Sequence, residues 1–430
     1  MSIKAEIISI GTELIIGHTV NTNSSYISER LAEIGISVHY HTSVGDNSKR
    51  IQECIKLALA RSDMIFFTGG LGPTDDDITH DVIAEALGLK LELDESEKNI
   101  LEKKFDTIGI KKQDIQPINY RQARIIAGAK VIENPIGTAI GMLIRHDSKL
   151  LASFPGVPCE MEAMLEKIKP TLLEVVKKQE GIGAIVSKKI RMTDLTESGM
   201  AQTILDHYQK LGKANPFNKS NPSLAPYATL GEVYVRVTAS AATEKEAQNL
   251  KKETIKEIKS LFPDNIFGYD DDTIASVLAK KLIEKNLTLS FAESCTGGLA
   301  SKLMTDIPGS SAYTKLNLVT YSNDAKISML GVKPETIKEH GAVSLECAKE
   351  MVEGLTKISD SDINVSITGL AGPDGGTKEK PIGTIYVGII INNKMKFIEK
   401  LTWRNRPLSR EQVRETACKK IFWKLIKLLM

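Results

Sequence analysis

Residues 63–77 read DMIFFTGGLGPTDDD, an uncharged apolar run, then paired glycines, then three consecutive carboxylates. Such a run predicts a buried strand that ends in a tight turn. The residues before it alternate between strand-like segments (5–11 and 36–44) and amphipathic helix-like segments (24–35 and 49–62). Strands that alternate with helices indicate parallel βαβ units, in which ligands bind at the carboxyl ends of the strands.

The last third of the chain shows the same alternation. Its strand-like segments are TLSFAES (288–294), LNLVTYS (316–322), INVSITG (363–369) and TIYVGIII (384–391), and an amphipathic helix begins near Ser409. Residues from about 172 to 265 differ and predict a small α+β module. We therefore predict three domains, comprising residues 1–170, 171–267 and 268–430.

The amino-acid composition argues against several classes of protein. The chain has 430 residues, of which 56 are basic and 54 acidic, so its net charge of +2 provides no general attraction for nucleic acid. No charge-free apolar run approaches the ~20 residues that span a bilayer, which argues against a membrane protein. The five cysteines are scattered without a CxxC pair, which argues against a zinc site or a disulfide framework and favours a cytoplasmic location.

The segment AESCTGG (292–298) places hydroxyl groups at a predicted strand-to-helix turn. A serine at such a turn can attack a substrate while neighbouring amides hold the oxyanion. The alternative is that Ser294 or Thr296 only caps the helix. Lys326 follows another predicted strand, and Ser–Lys pairs are known catalytic units, although a lone lysine is usually solvated. The glycine-rich loop 367–376, which carries Thr368, predicts either a phosphate cradle or a plain flexible loop.

The carboxylates of Asp75, Asp76 and Asp77 follow the glycine-rich turn in the first domain. Clustered oxygen ligands beside phosphate-binding amides suit Mg²⁺ or a similar hard cation. The alternative is that these residues cap the next helix and complement its dipole.

Five ordered motifs of the last domain resemble the C-terminal domain of the CinA family, a nicotinamide mononucleotide (NMN) amidohydrolase. They are AESCTGG, IPGSSAY (307–313), VTYSNDAK (319–326), GVKPETIKEHGAVS (331–344) and ITGLAGPDGGTKEKPIGT (367–384). The resemblance implies conversion of NMN to nicotinate mononucleotide and ammonia, without a cofactor. It makes Ser294 the nucleophile and Lys326 its general base, with Tyr321 and Thr368 as polar partners. Arg410, in REQVR, is expected to meet the anionic substrate.

The same resemblance implies further substrate contacts in this domain. They fall at Thr296, Gly297, Gly298, Ser310, Ser311, Gly369 and Gly372. Cys295 is a rival nucleophile, but its side chain should point away from that of Ser294, so we expect it to pack in the core.

The first domain resembles the N-terminal domain of the same family, which is related to the molybdopterin-binding fold. The motifs are GTELIIG (11–17), NTNS (21–24), VGDN (44–47), the glycine turn with Asp77-x-Thr79, ENPIGTAIG (133–141) and FPGVP (154–158). The resemblance implies metal-dependent hydrolysis of ADP-ribose to AMP and ribose 5-phosphate. Asn47 and Ile140 stand where the family commonly has Asp and Pro.

For this activity the expected metal ligands are Asp46, Asp76 and Asp77, holding Mg²⁺ or a similar divalent cation, with K⁺ as an optional second cation. The expected substrate contacts are Gly11, Thr12, Glu13, Asn23, Gly69, Gly70, Gly72 and Thr74.

The middle module resembles the family's KH-like domain. Because it lacks the GxxG loop with which KH domains clamp nucleic acid, we interpret it as a structural bridge. The expected fold is thus two three-layer α/β domains joined by an α+β KH-like module. We expect NMN and ADP-ribose as ligands and a homodimer as the assembly. Two other functions are considered, namely molybdopterin binding and a competence-related role in nucleic-acid binding or recruitment; the net charge argues against the second.

Overall fold

The computed structural model describes residues 3–180, 183–217, 220–401 and 408–430. The chain divides into two compact units: residues 1–188 with 221–223 and 238–254, and residues 189–220 with 224–237 and 255–430. No helix in the described ranges has the length and apolar character that crossing a membrane requires.

The N-terminal domain is built on a mixed sheet with strand order β2-β1-β3-β8-β7-β6. Strands β2, β1, β3 and β8 are parallel, and β7 and β6 are antiparallel additions at one edge. A separate antiparallel ribbon joins β4 and β5. The strands are β1 (Lys4–Ile10), β2 (Ser37–Val44), β3 (Met64–Thr68), β4 (Leu91–Leu93), β5 (Arg124–Ile126), β6 (Lys130–Ile132), β7 (Gly141–His146) and β8 (Lys149–Phe154).

Helices cover both faces of this sheet. Ile7 and Phe66 pack with α2 and α6 on one face, and Ile8 and Phe67 pack with α3 and α4 on the other. Burial on both faces explains why every residue of β3 is apolar or small. The helices are α1 (Thr12–Ile15), α2 (Thr22–Glu33), α3 (Ser48–Arg61), α4 (Thr79–Leu87), α5 (Glu95–Thr107) and α6 (Pro158–Glu180).

The middle module is a four-stranded sheet with order β10-β11-β9-β12 and two helices, which agrees with the α+β prediction. Its own core includes Ile190 and Val235 of the sheet, Ile204 of α7 and Ile258 of α8. The elements are β9 (Ala184–Thr193), α7 (Glu197–Lys210), β10 (Ser223–Thr229), β11 (Glu232–Ala241), α8 (Glu244–Leu261) and β12 (Ile266–Tyr269).

The C-terminal domain is a second three-layer α/β domain with strand order β14-β13-β15-β16-β17. Strands β14, β13 and β15 are parallel, whereas β16 and β17 are antiparallel. The strands are β13 (Leu289–Glu293), β14 (Thr314–Val319), β15 (Ile363–Gly369), β16 (Ile385–Ile391) and β17 (Lys394–Leu401).

One face of this sheet packs with α9, α10 and α14, and Ala292 on the other face packs with α11 and α13. The helices are α9 (Ile274–Glu284), α10 (Leu299–Thr305), α11 (Asn323–Leu330), α12 (Pro334–His340), α13 (Leu345–Ser359) and α14 (Arg410–Leu428). Helix α14 begins directly after Ser409, as predicted, and Ser409 caps it. The expected α/β class of both large domains is confirmed.

Candidate functional site

Ser294 directly follows β13 at the carboxyl edge of the C-terminal sheet. Its backbone N–H donates to the carbonyl of Ile367 in β15 at 2.9 Å, which fixes the serine between two parallel strands. The residue is only 8% exposed. The strand order therefore brings the predicted nucleophile to the edge where ligands bind in such sheets.

Lys326, in the first turn of α11, reaches the same edge and is 1% exposed. Its Nζ lies 3.0 Å from Ser294 Oγ, 2.9 Å from the carbonyl oxygen of Thr320 and 3.2 Å from that of Tyr321. Burial lowers the pKa of this lysine from the usual 10.5, because desolvation disfavours the ammonium form. The two carbonyls can accept both N–H groups of the neutral amine, which directs its lone pair at the serine hydroxyl.

Two backbone amides in the turn after Ser294 donate to carbonyl groups of the same turn. Gly297 N–H donates to the Ser294 carbonyl at 3.0 Å, and Leu299 N–H donates to the Thr296 carbonyl at 3.1 Å. The amides of Cys295 and Thr296 donate to no other residue in the part of the chain that the structure describes. Two consecutive amides beside a nucleophile are the donors that an oxyanion requires.

The alternative that Ser294 or Thr296 caps α10 is wrong. Gly298 occupies the cap position without a side-chain bond, and Glu293 accepts from the first amides of the helix. Its buried carboxylate receives Gly298 N–H at 3.0 Å, Ala300 N–H at 3.1 Å and Ser301 N–H at 2.8 Å. Glu293 was not among the predicted site residues, although it immediately precedes the candidate nucleophile.

Arg414 is a second residue that the sequence analysis missed. Its Nε and Nη2 both donate to the Thr296 carbonyl, at 3.0 and 2.6 Å. It lies one helical turn after Arg410, so the two arginines share a face of α14. The four-residue spacing of the two arginines was the sequence signal that could have drawn attention to Arg414.

Arg410 and Tyr321, which were predicted for different roles, are in contact with each other. Arg410 Nη2 donates to the Tyr321 hydroxyl at 2.9 Å, and Nη1 donates to the Gly372 carbonyl at 2.6 Å. The Tyr321 side chain is 59% exposed, so this pair forms the outer part of the site. Thr368 is buried at the end of β15 and donates to the Ala342 carbonyl at 2.7 Å.

The structure does not bring Ser310 and Ser311 to this site. They form a short 3-10 helix with Ala312 just before β14 begins. Because β14 and β13 are parallel, residues before β14 lie at the amino edge of the sheet, whereas Ser294 lies at the carboxyl edge. Gly369 ends β15, and Gly297, Gly298 and Gly372 adopt positive φ in the loops at the carboxyl edge.

A cavity of about 380 Å³ lies at the carboxyl edge of the N-terminal sheet. It holds most of the residues predicted for this domain. Its lining includes Gly11, Glu13, Asp46, Gly69, Gly70, Gly72, Asp76, Asp77, Gln122 and Glu160. Gly69 adopts φ +101°, and a Cβ there would lie 2.0 Å from the Ile10 carbonyl oxygen, so only glycine allows the loop to pass β1 so closely.

Thr12, Thr74 and Asn23 do not line the cavity, but each donates a hydrogen bond to a residue that does. Thr12 donates its N–H and its hydroxyl to Asp46 Oδ2, both at 2.8 Å. Thr74 donates its hydroxyl to both Asp76 and Asp77, and its N–H to Asp77 at 3.0 Å. Asn23 donates to Thr68 Oγ1 at 2.8 Å and to the Gly156 carbonyl at 2.9 Å.

None of Asp75, Asp76 and Asp77 caps α4, so the capping part of that alternative is wrong. Ile78 occupies the cap position, and its side chain makes no capping hydrogen bond. Asp75 instead pairs with Arg121 at 2.8 Å. Hydrogen bonding from the Thr74 hydroxyl lowers the pKa of Asp76, which keeps it ionised. Asn47 caps α3 by accepting from Arg50 N–H.

Across the described ranges, no three His, Cys, Asp or Glu side chains lie close enough together to hold a metal ion. Asp46, Asp76 and Asp77 face one cavity but do not form a three-ligand cluster. These residues therefore do not fit a resident metal held by protein ligands alone. Mg²⁺ in proteins is commonly held by one or two carboxylates together with substrate phosphates and water, an arrangement that needs no three-ligand cluster.

Three family models match the chain. The model of a probable molybdopterin binding domain matches residues 6–174, that of the damage-inducible protein CinA KH domain matches residues 187–268, and that of the CinA C-terminal domain matches residues 271–429.

Two similar proteins come from species of Dictyoglomus. The chain is 40% identical to a CinA-like protein of Dictyoglomus turgidum, with 92% of this chain and 93% of that protein covered. It is 41% identical to a CinA-like protein of Dictyoglomus thermophilum, with the same coverage of 92% and 93%. Among solved structures, the protein CinA from Thermoplasma acidophilum, described as of unknown function, is 34% identical over 40% of this chain and 98% of its own, with a TM-score of 0.38.

Proposed function

The chain belongs to the CinA family, and we propose that its C-terminal domain is an amidohydrolase that converts NMN to nicotinate mononucleotide and ammonia. One observation carries this proposal: Lys326 Nζ lies 3.0 Å from Ser294 Oγ in a buried position. A nucleophile in hydrogen-bond contact with a desolvated base is the arrangement that amide cleavage needs.

In the first step, Ser294 Oγ attacks the carboxamide carbon as its proton passes to neutral Lys326. The Oγ–C bond forms and the carbonyl oxygen becomes an oxyanion, which the Cys295 and Thr296 amides stabilise. When the oxyanion collapses, the C–N bond breaks. Ammonia leaves with the proton that Lys326 held, so the amine is neutral again.

In the second step, water attacks the acyl carbon while Lys326 takes its proton. Ser294 Oγ then leaves, and Lys326 returns the proton to it. The product is nicotinate mononucleotide. The same lysine serves both halves of the reaction because its amine starts and ends each half in the neutral form.

The outer part of the site suits a phosphate. Arg410 is a permanent cation, and its Nη1 and Nη2 donate to the Gly372 carbonyl and the Tyr321 hydroxyl. A substrate phosphate can replace these neutral acceptors with anionic oxygens, which adds an ion pair to the hydrogen bonds. We therefore propose that Arg410 binds the 5′-phosphate of NMN.

The test is ammonia release from NMN by the full-length protein. We expect turnover by the wild type and a loss of at least ~10³-fold in Ser294→Ala, since that variant lacks the nucleophile. Nicotinamide riboside is the matched substrate control, because it offers the same pyridinium carboxamide and ribose without a phosphate for Arg410. A folded wild type that releases no ammonia from NMN would contradict the proposal.

We propose a second activity, the hydrolysis of ADP-ribose to AMP and ribose 5-phosphate, for the N-terminal domain. Five carboxylates line its cavity, and the described lining residues include no lysine or arginine. They are Glu13, Asp46, Asp76, Asp77 and Glu160. An anionic pyrophosphate is repelled there unless cations accompany it. A divalent cation on the pyrophosphate would neutralise charge and activate water, with Asp46, Asp76 and Asp77 as the available ligands.

This second activity is tested by measuring AMP from ADP-ribose with Mg²⁺ and after EDTA. We expect Asp46→Asn to lose activity, and a folded Thr74→Ala to lose less, because Thr74 only supports the carboxylates. Molybdopterin that remains bound to purified protein, without ADP-ribose hydrolysis, would instead favour molybdopterin binding.

A further inference from the structure

We propose that Arg414 is a positioning residue that holds and polarises the turn after Ser294, which carries the amides of Cys295 and Thr296. The inference rests on the proposed amidohydrolase function, and it concerns a residue that touches neither the serine nor the lysine. Arg414 is distinct in role from Arg410, one turn earlier on the same helix.

Arg414 contacts one backbone carbonyl through two donors, and we call this contact the clamp. Arg414 Nε and Nη2 donate to Thr296 O at 3.0 and 2.6 Å, and Leu299 N–H donates to the same oxygen at 3.1 Å. Hydrogen bonds from a guanidinium are roughly twice as strong as neutral ones. A Cβ on Gly297 would lie in ordinary contact with Nη2, at 3.4 Å, so the residue's positive φ of +57° is what favours glycine here.

A series of hydrogen bonds connects the clamp to Ser294 through two peptide groups. The Thr296 carbonyl and Gly297 N–H belong to one peptide group, and Gly297 N–H donates to the Ser294 carbonyl at 3.0 Å. The Ser294 carbonyl and Cys295 N–H belong to the next peptide group. Hydrogen bonds in series polarise one another, so the charge of Arg414 makes Cys295 N–H a stronger donor to the oxyanion.

The two ends of this region are held independently of Arg414. Ser294 N–H is fixed by the Ile367 carbonyl, and Gly298 N–H is fixed by the Glu293 carboxylate. Removing Arg414 should therefore loosen the Cys295 and Thr296 amides while the serine stays in place. Because these amides act on the transition state, we expect an effect on kcat and little effect on KM.

The experiment compares Arg414→Ala, Arg414→Lys and Arg410→Lys in NMN deamidation. We expect Arg414→Ala to lower kcat about 10²-fold, the scale of losing one oxyanion donor, with KM within about threefold. Added guanidinium should restore at least part of kcat in Arg414→Ala but none in Ser294→Ala. Arg414→Lys should fall between wild type and Arg414→Ala, and Arg410→Lys should mainly raise KM. Lys424→Ala, on the same helix, is the control and should change neither constant.

An unchanged kcat in Arg414→Ala would overturn the proposal. A loss that neither guanidinium nor Arg414→Lys recovers would also overturn it, since a purely structural role predicts that result. If Arg414→Ala does not fold, Arg414→Lys is used for the test instead.

If the wild type releases no ammonia from NMN, the substrate assignment fails separately. The rate at which a fluorophosphonate labels Ser294 then decides: slower labelling in the Arg414 variant supports the clamp, and equal labelling refutes it.

Discussion

A lysine that acts as a general base must lose its proton before each cycle, and the surroundings of Lys326 favour that loss. Its amine is 1% exposed, and burial lowers its pKa below the usual 10.5. Since only the neutral amine accepts the Ser294 proton, activity should increase as pH rises through this lowered pKa and then level off.

The prediction is a pH profile of kcat/KM for NMN that rises to a plateau with a midpoint below 10.5. The measurement is ammonia release across a series of buffers at constant ionic strength, with folding checked at each pH. A rate that falls as pH rises, in folded protein, would contradict the role of Lys326 as base.

Cys295 is expected to be chemically silent although it adjoins the nucleophile. Burial raises the pKa of its thiol to about 12, so it stays protonated at neutral pH, and the side chain packs in the core of the C-terminal domain. We predict that Cys295→Ala keeps kcat within about threefold, because the amide that serves the oxyanion belongs to the backbone. Loss of activity in a folded Cys295→Ala, with Ser294→Ala active, would reverse the assignment of nucleophile.

At the scale of elements, strand direction explains which residues could be placed from sequence. Ser294 and Lys326 both follow parallel strands, β13 and β14, so the alternation of strands and helices was sufficient to place them at one edge. Ser310 and Ser311 precede their strand and lie at the other edge. The three-residue strands β4 and β5 carry too few side chains for a periodic signal, so the sequence did not predict them.

The contacts of Glu293 and Arg414 could not be predicted from the sequence for a different reason, although the four-residue spacing of Arg410 and Arg414 was visible there. Their partners are backbone groups, namely the first amides of α10 and the Thr296 carbonyl. Backbone groups are present at every residue, so sequence patterns do not specify which of them a side chain will meet. Only the folded turn shows that the two residues hold the candidate oxyanion site.

The close approach of α13 to α11 provides a test at this scale. A Cβ on Gly354 of α13 would lie 1.8 Å from the Leu330 carbonyl oxygen of α11, the helix that carries Lys326. In an open helix, glycine to alanine would stabilise by roughly 0.5–1 kcal/mol. Here overpacking should dominate, so we predict that Gly354→Ala destabilises by about 1–3 kcal/mol and also lowers kcat.

Thermal unfolding and NMN turnover of Gly354→Ala provide the measurement. Lys349→Ala, at an exposed position of the same helix, is the control for the change to alanine. A higher Tm in Gly354→Ala would show that the two helices are not in this contact.

At the scale of the whole molecule, the chain has candidate sites in two separate α/β domains. One depends on Ser294 and Lys326, and the other on Asp46 and its neighbours at the N-terminal cavity. Because the two sites share no residue, we predict that the two activities are separable. Ser294→Ala should abolish ammonia release and preserve AMP formation from ADP-ribose, and Asp46→Asn should do the reverse. Loss of both activities in either folded variant would contradict independent sites.

The most direct test of the account is the kcat for NMN of Ser294→Ala, Lys326→Ala and the double variant, each checked for folding. A nucleophile and its base act as one unit, so each single variant should lose at least ~10³-fold and the double variant should lose no more than either. Losses that multiply in the double variant would show that the two residues act separately. Full activity in Ser294→Ala would contradict the central claim outright.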